Sequence, residues 1–344
     1  MKKRTPLFLA LLLTAALLLS LLSGCGNQTS APAETAAPAE TPAEAEAPAP
    51  AEAEPAETPE DTSASITVTD MMGREIKLSG PATKIVVLTA AECEIVYALG
   101  AGDTVVGRGE YCDWPAEVYD VPSVMSGYQT NVEQILALEP DLVIMNTMDQ
   151  SPDDVAMLED AGVPVAVTVA ADIDGVFQSI ELIGAITGKT DEATLLAVNM
   201  KNVFEQISGN PAGDGEQTVY FEVSPLQWGL WTAGKGTFMD EIATLCGLKN
   251  CFGDLDGWAE VSEEQVLERN PDFIVTISMY YGEGPTPVEE ILGRAGWENV
   301  TAVQNNAILN LQDNELTRPG PRLANGAALL NAFVADAAAL DNAA

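Results

Sequence analysis

Histidine is absent from this 344-residue chain, and cations are scarce: 15 Lys and Arg stand against 52 Asp and Glu, a formal charge of -37. Without an imidazole, serine-type triads, thermolysin-like zinc sites and most acid/base chemistry lose their usual group. Without clustered Lys and Arg, nothing is in place to hold a nucleic-acid phosphate backbone. Cysteine is limited to five residues with no C-x-x-C spacing, so a thiolate metal motif is missing too. Aromatic residues are absent from 26–65, which instead holds seven Pro and nine acidic residues. Such a segment cannot bury enough apolar surface to offset its ordering entropy, and reads as a disordered tether. At about 3.1 Å per residue it reaches on the order of 100 Å.

What is present begins with Lys2, Lys3 and Arg4, followed by an apolar run from Leu7 to Leu22 that ends in Ser23-Gly24-Cys25. The run is close to the roughly 18 residues that span a membrane. Its flanks equally fit a targeting segment. Small residues directly before a Cys resemble a bacterial lipobox, which implies a signal peptide over 1–24 and a lipidated Cys25 as the first mature residue. The tether then occupies 25–65, and the folded part starts at Ile66, long enough for about two domains.

In that part short apolar runs alternate with helical-period segments. KIVVL (84–88), DLVIM (141–145), VPVAVTV (163–169), TVYFEV (218–223), DFIVTI (272–277) and AILNL (307–311) read as buried strands, while EIVYALGAG and MDEIATLCGL read as helices. The alternation predicts an α/β protein with mainly parallel sheets. An internal repeat sharpens this. VEQILALEPDLVI from Val132 aligns without gaps on EEQVLERNPDFIV from Glu263, an offset of 131 residues. Each copy is an amphipathic helix stopped by Pro and followed at once by a strand, as expected of equivalent units in two similar lobes. Between them DEATLLAVNMKNVFEQIS reads as one long helix. The expected organisation is a lobe over 66–190, a connecting helix over 191–208 and a second lobe over 209–344, with a ligand cleft between the lobes.

The segments ITVTDMMGREIKL, ECEIVYALGAGDTVVG, YCDWP, NVEQILALEPDLVI, GKGTFMDEIATLCGLKNCF, VSEEQVLERNPDFIV and RPGPRL, in this order, resemble the iron-siderophore and vitamin B12 type substrate-binding lipoproteins of ABC importers. The resemblance covers nearly all of the chain from Ile66. It implies a monomeric, non-enzymatic receptor without a cofactor of its own, lipid-anchored on the outer face of the cytoplasmic membrane. Such a receptor captures a small-molecule metal chelate and delivers it to a permease dimer with its ATPase. It also implies that Glu133 and Glu264 pair with permease arginines. Read from the residues alone, both are early-turn acids favoured by the helix dipole.

Candidate ligand residues are the aromatic-rich loops: Tyr111 and Trp114, Tyr128 and Gln129, Trp228 and Trp231, and Trp258. Aromatic walls suit flat or greasy ligands, and ordinary packing under loops is the competing reading. Arg318 and Arg322, flanking Pro319-Gly320-Pro321, are placed either on ligand carboxylates or in a salt bridge bracing the last helix. The folded part holds 12 Lys and Arg against 43 Asp and Glu. That balance disfavours a polyanionic catecholate, leaving a corrinoid or a neutral to weakly charged siderophore. The absence of His disfavours a bare zinc or manganese ion and weakens the case for haem. Two other function classes compete: a surface sensor without a permease, and a glycan-active enzyme using paired carboxylates such as Asp254 and Asp256.

Overall fold

The computed structural model describes residues 65–127, 129–147, 151–280, 282–311 and 314–341. The expected signal peptide, Cys25, nearly all of the tether, and Tyr128 lie outside these residues. The described chain opens with an antiparallel pair, β1 (Ile66–Thr69) and β2 (Glu75–Leu78). There follow β3 (Ile85–Val87), α1 (Ala90–Ala98), β4 (Val105–Gly109), β5 (Ser123–Val124), α2 (Val132–Leu136), β6 (Leu142–Asn146), α3 (Pro152–Asp160), β7 (Val165–Thr168) and α4 (Ile173–Ile186). The five strands from β3 to β7 form one sheet in the order β5-β4-β3-β6-β7, with every neighbour parallel. Parallel neighbours need crossover connections, which the helices supply.

After α5 (Thr190–Gly209) the pattern repeats. The elements are β8 (Thr218–Glu222), β9 (Leu230–Ala233), α6 (Phe238–Leu245), β10 (Lys249–Asn250), β11 (Trp258–Val261), α7 (Glu263–Arg269), β12 (Phe273–Thr276), α8 (Pro287–Leu292), α9 (Thr301–Gln304), β13 (Ile308–Asn310) and α10 (Leu323–Asp341). A second parallel sheet has the order β10-β8-β12-β13, and β9 pairs antiparallel with β11. All six expected strands are present. EIVYALGAG becomes helix only as far as Ala98, because Gly100 turns left-handed at φ +70 and ends the winding.

Successive strand residues point to opposite faces, and the cores follow that alternation. Ile85, Val87, Leu142 and Ile144 join Val219, Phe221, Phe273 and Val275 in one cluster, which also takes the buried stripe of α5: Ala193, Ala197, Met200, Phe204 and Ile207. The opposite faces fill separate clusters, Val86, Val143 and Met145 in one sheet and Tyr220 and Ile274 in the other. The helix between the sheets thus shares a core with both of them. Phe204 meets Phe177 of α4 edge-on, with ring centroids 6.3 Å apart.

The repeat is preserved in the joints. Asp141 accepts hydrogen bonds from the Thr83 amide and hydroxyl, each at 2.8 Å, and Asp272 does the same for Thr218 at 2.8 and 2.9 Å. Both helix-to-strand turns pass through a left-handed residue, Glu139 at φ +50 and Asn270 at φ +45. Among the described residues no helix is long and apolar enough to cross a membrane.

Candidate functional site

Helices α2 and α7 lead into the amino ends of β6 and β12, and the loops beyond the opposite, carboxyl ends of the strands are where ligands bind in open parallel sheets. In the first sheet the loop after β4 leaves Tyr111 69% and Trp114 49% exposed while Cys112 between them is fully buried. Arg318 reaches this loop from the far end of the chain. Its Nη1 donates to Glu94 Oε1 at 2.9 Å, both Nη atoms grip Asp113, and Nη2 donates to the Tyr111 carbonyl at 3.3 Å. Arg322 donates to both oxygens of Glu94 at 2.9 and 2.7 Å and lies over the Trp114 ring, 4.7 Å from its centre. Burial opposes the Arg318 charge, yet Asp113 and Glu94 hold its proton above the ordinary guanidinium range. Both arginines thereby pair with carboxylates, the second of the two placements considered above, while a role on the ligand is untouched by these contacts.

Beside them Glu92 is wholly buried. It accepts from the Thr168 hydroxyl at 2.6 Å, from Asn146 Nδ2 at 3.3 Å and from the Thr89 hydroxyl. In the second sheet Glu222 closes β8 and is gripped bidentately by Arg294 at 2.6 and 2.9 Å. Arg294 also donates to Glu290 and stacks on Trp297, whose indole N–H donates to Glu263 at 2.8 Å. Burial pushes the Glu222 carboxyl up, against the pull of Arg294.

A cavity of about 600 Å³ opens where β8 and β12 end, lined by Leu226, Trp228, Met279, Tyr280, Glu283 and Glu290 among others. Its described lining includes two carboxylates and neither Lys nor Arg. Trp228 is 74% exposed there. Trp231 and Trp258, expected in loops, sit instead on β9 and β11; runs of four residues are too short for period-two alternation to register in the sequence. Trp231 faces solvent, whereas Trp258 is half-buried edge-on against Phe238 at 5.6 Å. Gln129 is exposed in the loop before α2.

Glu133 and Glu264 are each the second residue of a short helix, and both are exposed. Asn131 and Ser262 cap the two helices by accepting from Gln134 N and Gln265 N at 3.0 and 3.3 Å. The Glu264 backbone amide and the Ser262 hydroxyl hold the Glu264 carboxyl below the usual range. Glu263 is occupied by Trp297.

Residues 85–315 match the periplasmic binding protein family. The chain belongs to that family. An ABC transporter substrate-binding lipoprotein of Bacillus subtilis is 33% identical over 333 residues, 95% of either chain. The vitamin B12-binding protein of Vibrio cholerae is 28% identical over 243 residues, 70% of this chain and 85% of its own. The crystal structure of a possible iron-binding, periplasmic solute-binding protein from Staphylococcus epidermidis superposes with a TM-score of 0.63 at 29% identity, covering 74% of this chain and 98% of that one. As a periplasmic binding protein, the chain is an extracytoplasmic receptor that serves an ABC permease and its ATPase.

Several residues of the candidate site escape a reading of the sequence. Met279, Tyr280, Glu283, Pro285 and Pro287 line the cavity from a Gly- and Pro-rich stretch whose only signal is its place directly after a buried strand. Glu222 and Glu92 had a stronger one, since a carboxylate at the end of an apolar run demands a buried partner. Asp254, weighed above as a catalytic acid, is held by Arg269 at 2.9 Å and kept below the ordinary carboxylate range. That is the wrong poise for a proton donor. Among the described residues no cluster of three or more acidic or thiol groups suits a metal ion.

Proposed function

We propose that this receptor, held to the membrane by a lipid on Cys25, captures a corrinoid or a neutral to weakly charged ferric siderophore and delivers it without catalysis. The observation that carries the reading is electrostatic. Among its described lining residues the cavity beside Trp228 presents Glu283 and Glu290 and no cation, and Arg318 and Arg322 are already neutralised by Glu94 and Asp113. A polyanionic chelate would find no counter-charge, while the exposed faces of Tyr111, Trp114, Trp228 and Trp231 offer flat apolar area. A vitamin B12-binding protein among its relatives supports the same class.

Native mass spectrometry against cobalamin, cobinamide, a ferric hydroxamate and a ferric catecholate tests this. Retention of a corrinoid or the hydroxamate is expected, and retention of the catecholate alone overturns the reading. Delivery runs through Glu133 and Glu264, one exposed carboxylate per lobe at equivalent points, suited to arginines on a two-fold permease. Glu133→Ala with Glu264→Ala leaves ligand affinity nearly unchanged and lowers uptake; normal uptake by the double variant defeats this assignment. Cys25→Ser abolishes fatty-acid labelling if the lipid is where we place it.

A further inference from the structure

We propose that Cys93 and Cys112 close into a disulfide in the exported protein, pinning the loop of Tyr111 and Trp114 to α1. Cys93 lies on α1 and Cys112 in the loop after β4, and both are fully buried in one core cluster. The neighbouring Cys112 raises the Cys93 thiol above its ordinary range, and the Cys112 sulfur approaches the Val87 carbonyl at 3.8 Å. A second set of contacts brings the two backbones together independently. Glu94 and Asp113, the residues after each cysteine, take the same Arg318 guanidinium. The remaining thiols are placed otherwise: Cys246 is directed at the Ala327 carbonyl at 3.6 Å, and Cys251 is half-buried against Arg269. An extracytoplasmic protein works where disulfides form and persist.

In the folded chain the contact with Cys112, together with burial, pushes the Cys93 thiol far above its ordinary range. The thiolate, which is the nucleophile, is therefore suppressed once the core has closed. Bond formation belongs to the folding stage, with a small-molecule or protein disulfide outside the membrane as oxidant. One cysteine thiolate attacks that disulfide, forms a mixed disulfide and releases one thiol. The second thiolate then attacks the cysteine sulfur, closing the bond and releasing the other thiol. Two thiol protons leave the chain, and the electron pair reduces the oxidant to two thiols. The closed ring restricts the unfolded chain, and its burial shields it from reductants.

The test isolates the full-length protein from the cell envelope in excess N-ethylmaleimide without reductant, then digests it under denaturing conditions for mass spectrometry. A parallel sample is refolded in a glutathione redox buffer. The expected product is a peptide pair linked through Cys93 and Cys112, with Cys246 and Cys251 alkylated. Refolding in reductant lowers the thermal midpoint by on the order of 5–10 °C. Cys93→Ser and Cys112→Ser each remove that reductant-dependent shift; should either fail to fold, the reduced wild-type chain supplies the same reading. Alkylation of both Cys93 and Cys112 in both preparations, or a Cys246 to Cys251 link in their place, overturns the proposal. Neither ligand nor permease enters the experiment, so its outcome is independent of the cargo.

Discussion

At the end of β8 in the second lobe, Glu222 is buried against Arg294, with both side chains at 2% exposure or less. In the first lobe Glu92 is buried as deeply, yet its recorded partners are the neutral Thr89, Thr168 and Asn146. Four strands of the first sheet match the order of the second, and the joints match too, but the two sheets accommodate a buried acidic side chain by opposite means, one by an ion pair and the other by dipoles. The repeat therefore constrains the places where helix meets strand, Asp141 and Asp272 or Asn131 and Ser262. It leaves the chemistry of the strand ends open, and that is where the two similar lobes differ.

Removing charge from each lobe separates them most widely. Arg294→Met strands Glu222 and Glu290 without their cation and lowers stability by about 3–5 kcal/mol. Glu92→Gln keeps hydrogen-bonding capacity among neutral partners and costs less, about 1–3 kcal/mol. Denaturant titration gives both values, and equal losses would erase the distinction between the lobes. Next in size are the equivalent joints. Asp141→Ala and Asp272→Ala each lose charge-assisted hydrogen bonds to a threonine, Thr83 just before β3 and Thr218 at the start of β8, and should cost about 1–3 kcal/mol, alike within error. A loss at one position only would show that the repeat is geometric without being energetic.

The caps come third. Asn131→Ala and Ser262→Ala each lower stability by about 1 kcal/mol, read from the shift in denaturation midpoint. The smallest effect has the opposite sign. Glu139 adopts a left-handed conformation that its counterpart Asn270 tolerates more readily. Glu139→Asn should raise stability by up to about 1 kcal/mol, less the small loss of its exposed contact with Lys84 at 3.7 Å. A destabilised variant would mean that the Glu139 side chain holds more than that contact.

The legible part of the molecule was its local part. The repeat from Val132 placed α2 with β6 and α7 with β12, and the periodicity of 191–208 placed α5 to within a residue at each end. Period and capping are short-range signals, and these elements obey them. Arg294 lies 72 residues from Glu222 and Arg318 lies 224 from Glu94, distances at which no pattern in one sequence declares a partner. The cavity residues Met279, Tyr280, Glu283, Pro285 and Pro287 follow no period, and β9 and β11 are too short to alternate visibly. The aromatic residues of the candidate site were found by type. Their orientation, with Trp228 open and Trp258 packed on Phe238, belongs to tertiary contacts alone.

The grip of Arg318 and Arg322 on Glu94 also bears on the order in which the molecule can be completed. A protein threaded outward from its amino terminus presents Glu94 and Asp113 long before the arginines that neutralise them arrive. Until the segment Arg318 to Arg322 has emerged, the first lobe holds two unbalanced carboxylates at its rim, and the loop of Tyr111 and Trp114 lacks the cation that tethers it. The first lobe is translocated early but finished late. The same long-range closure makes the two lobes interdependent, so heating the protein should melt them in one transition.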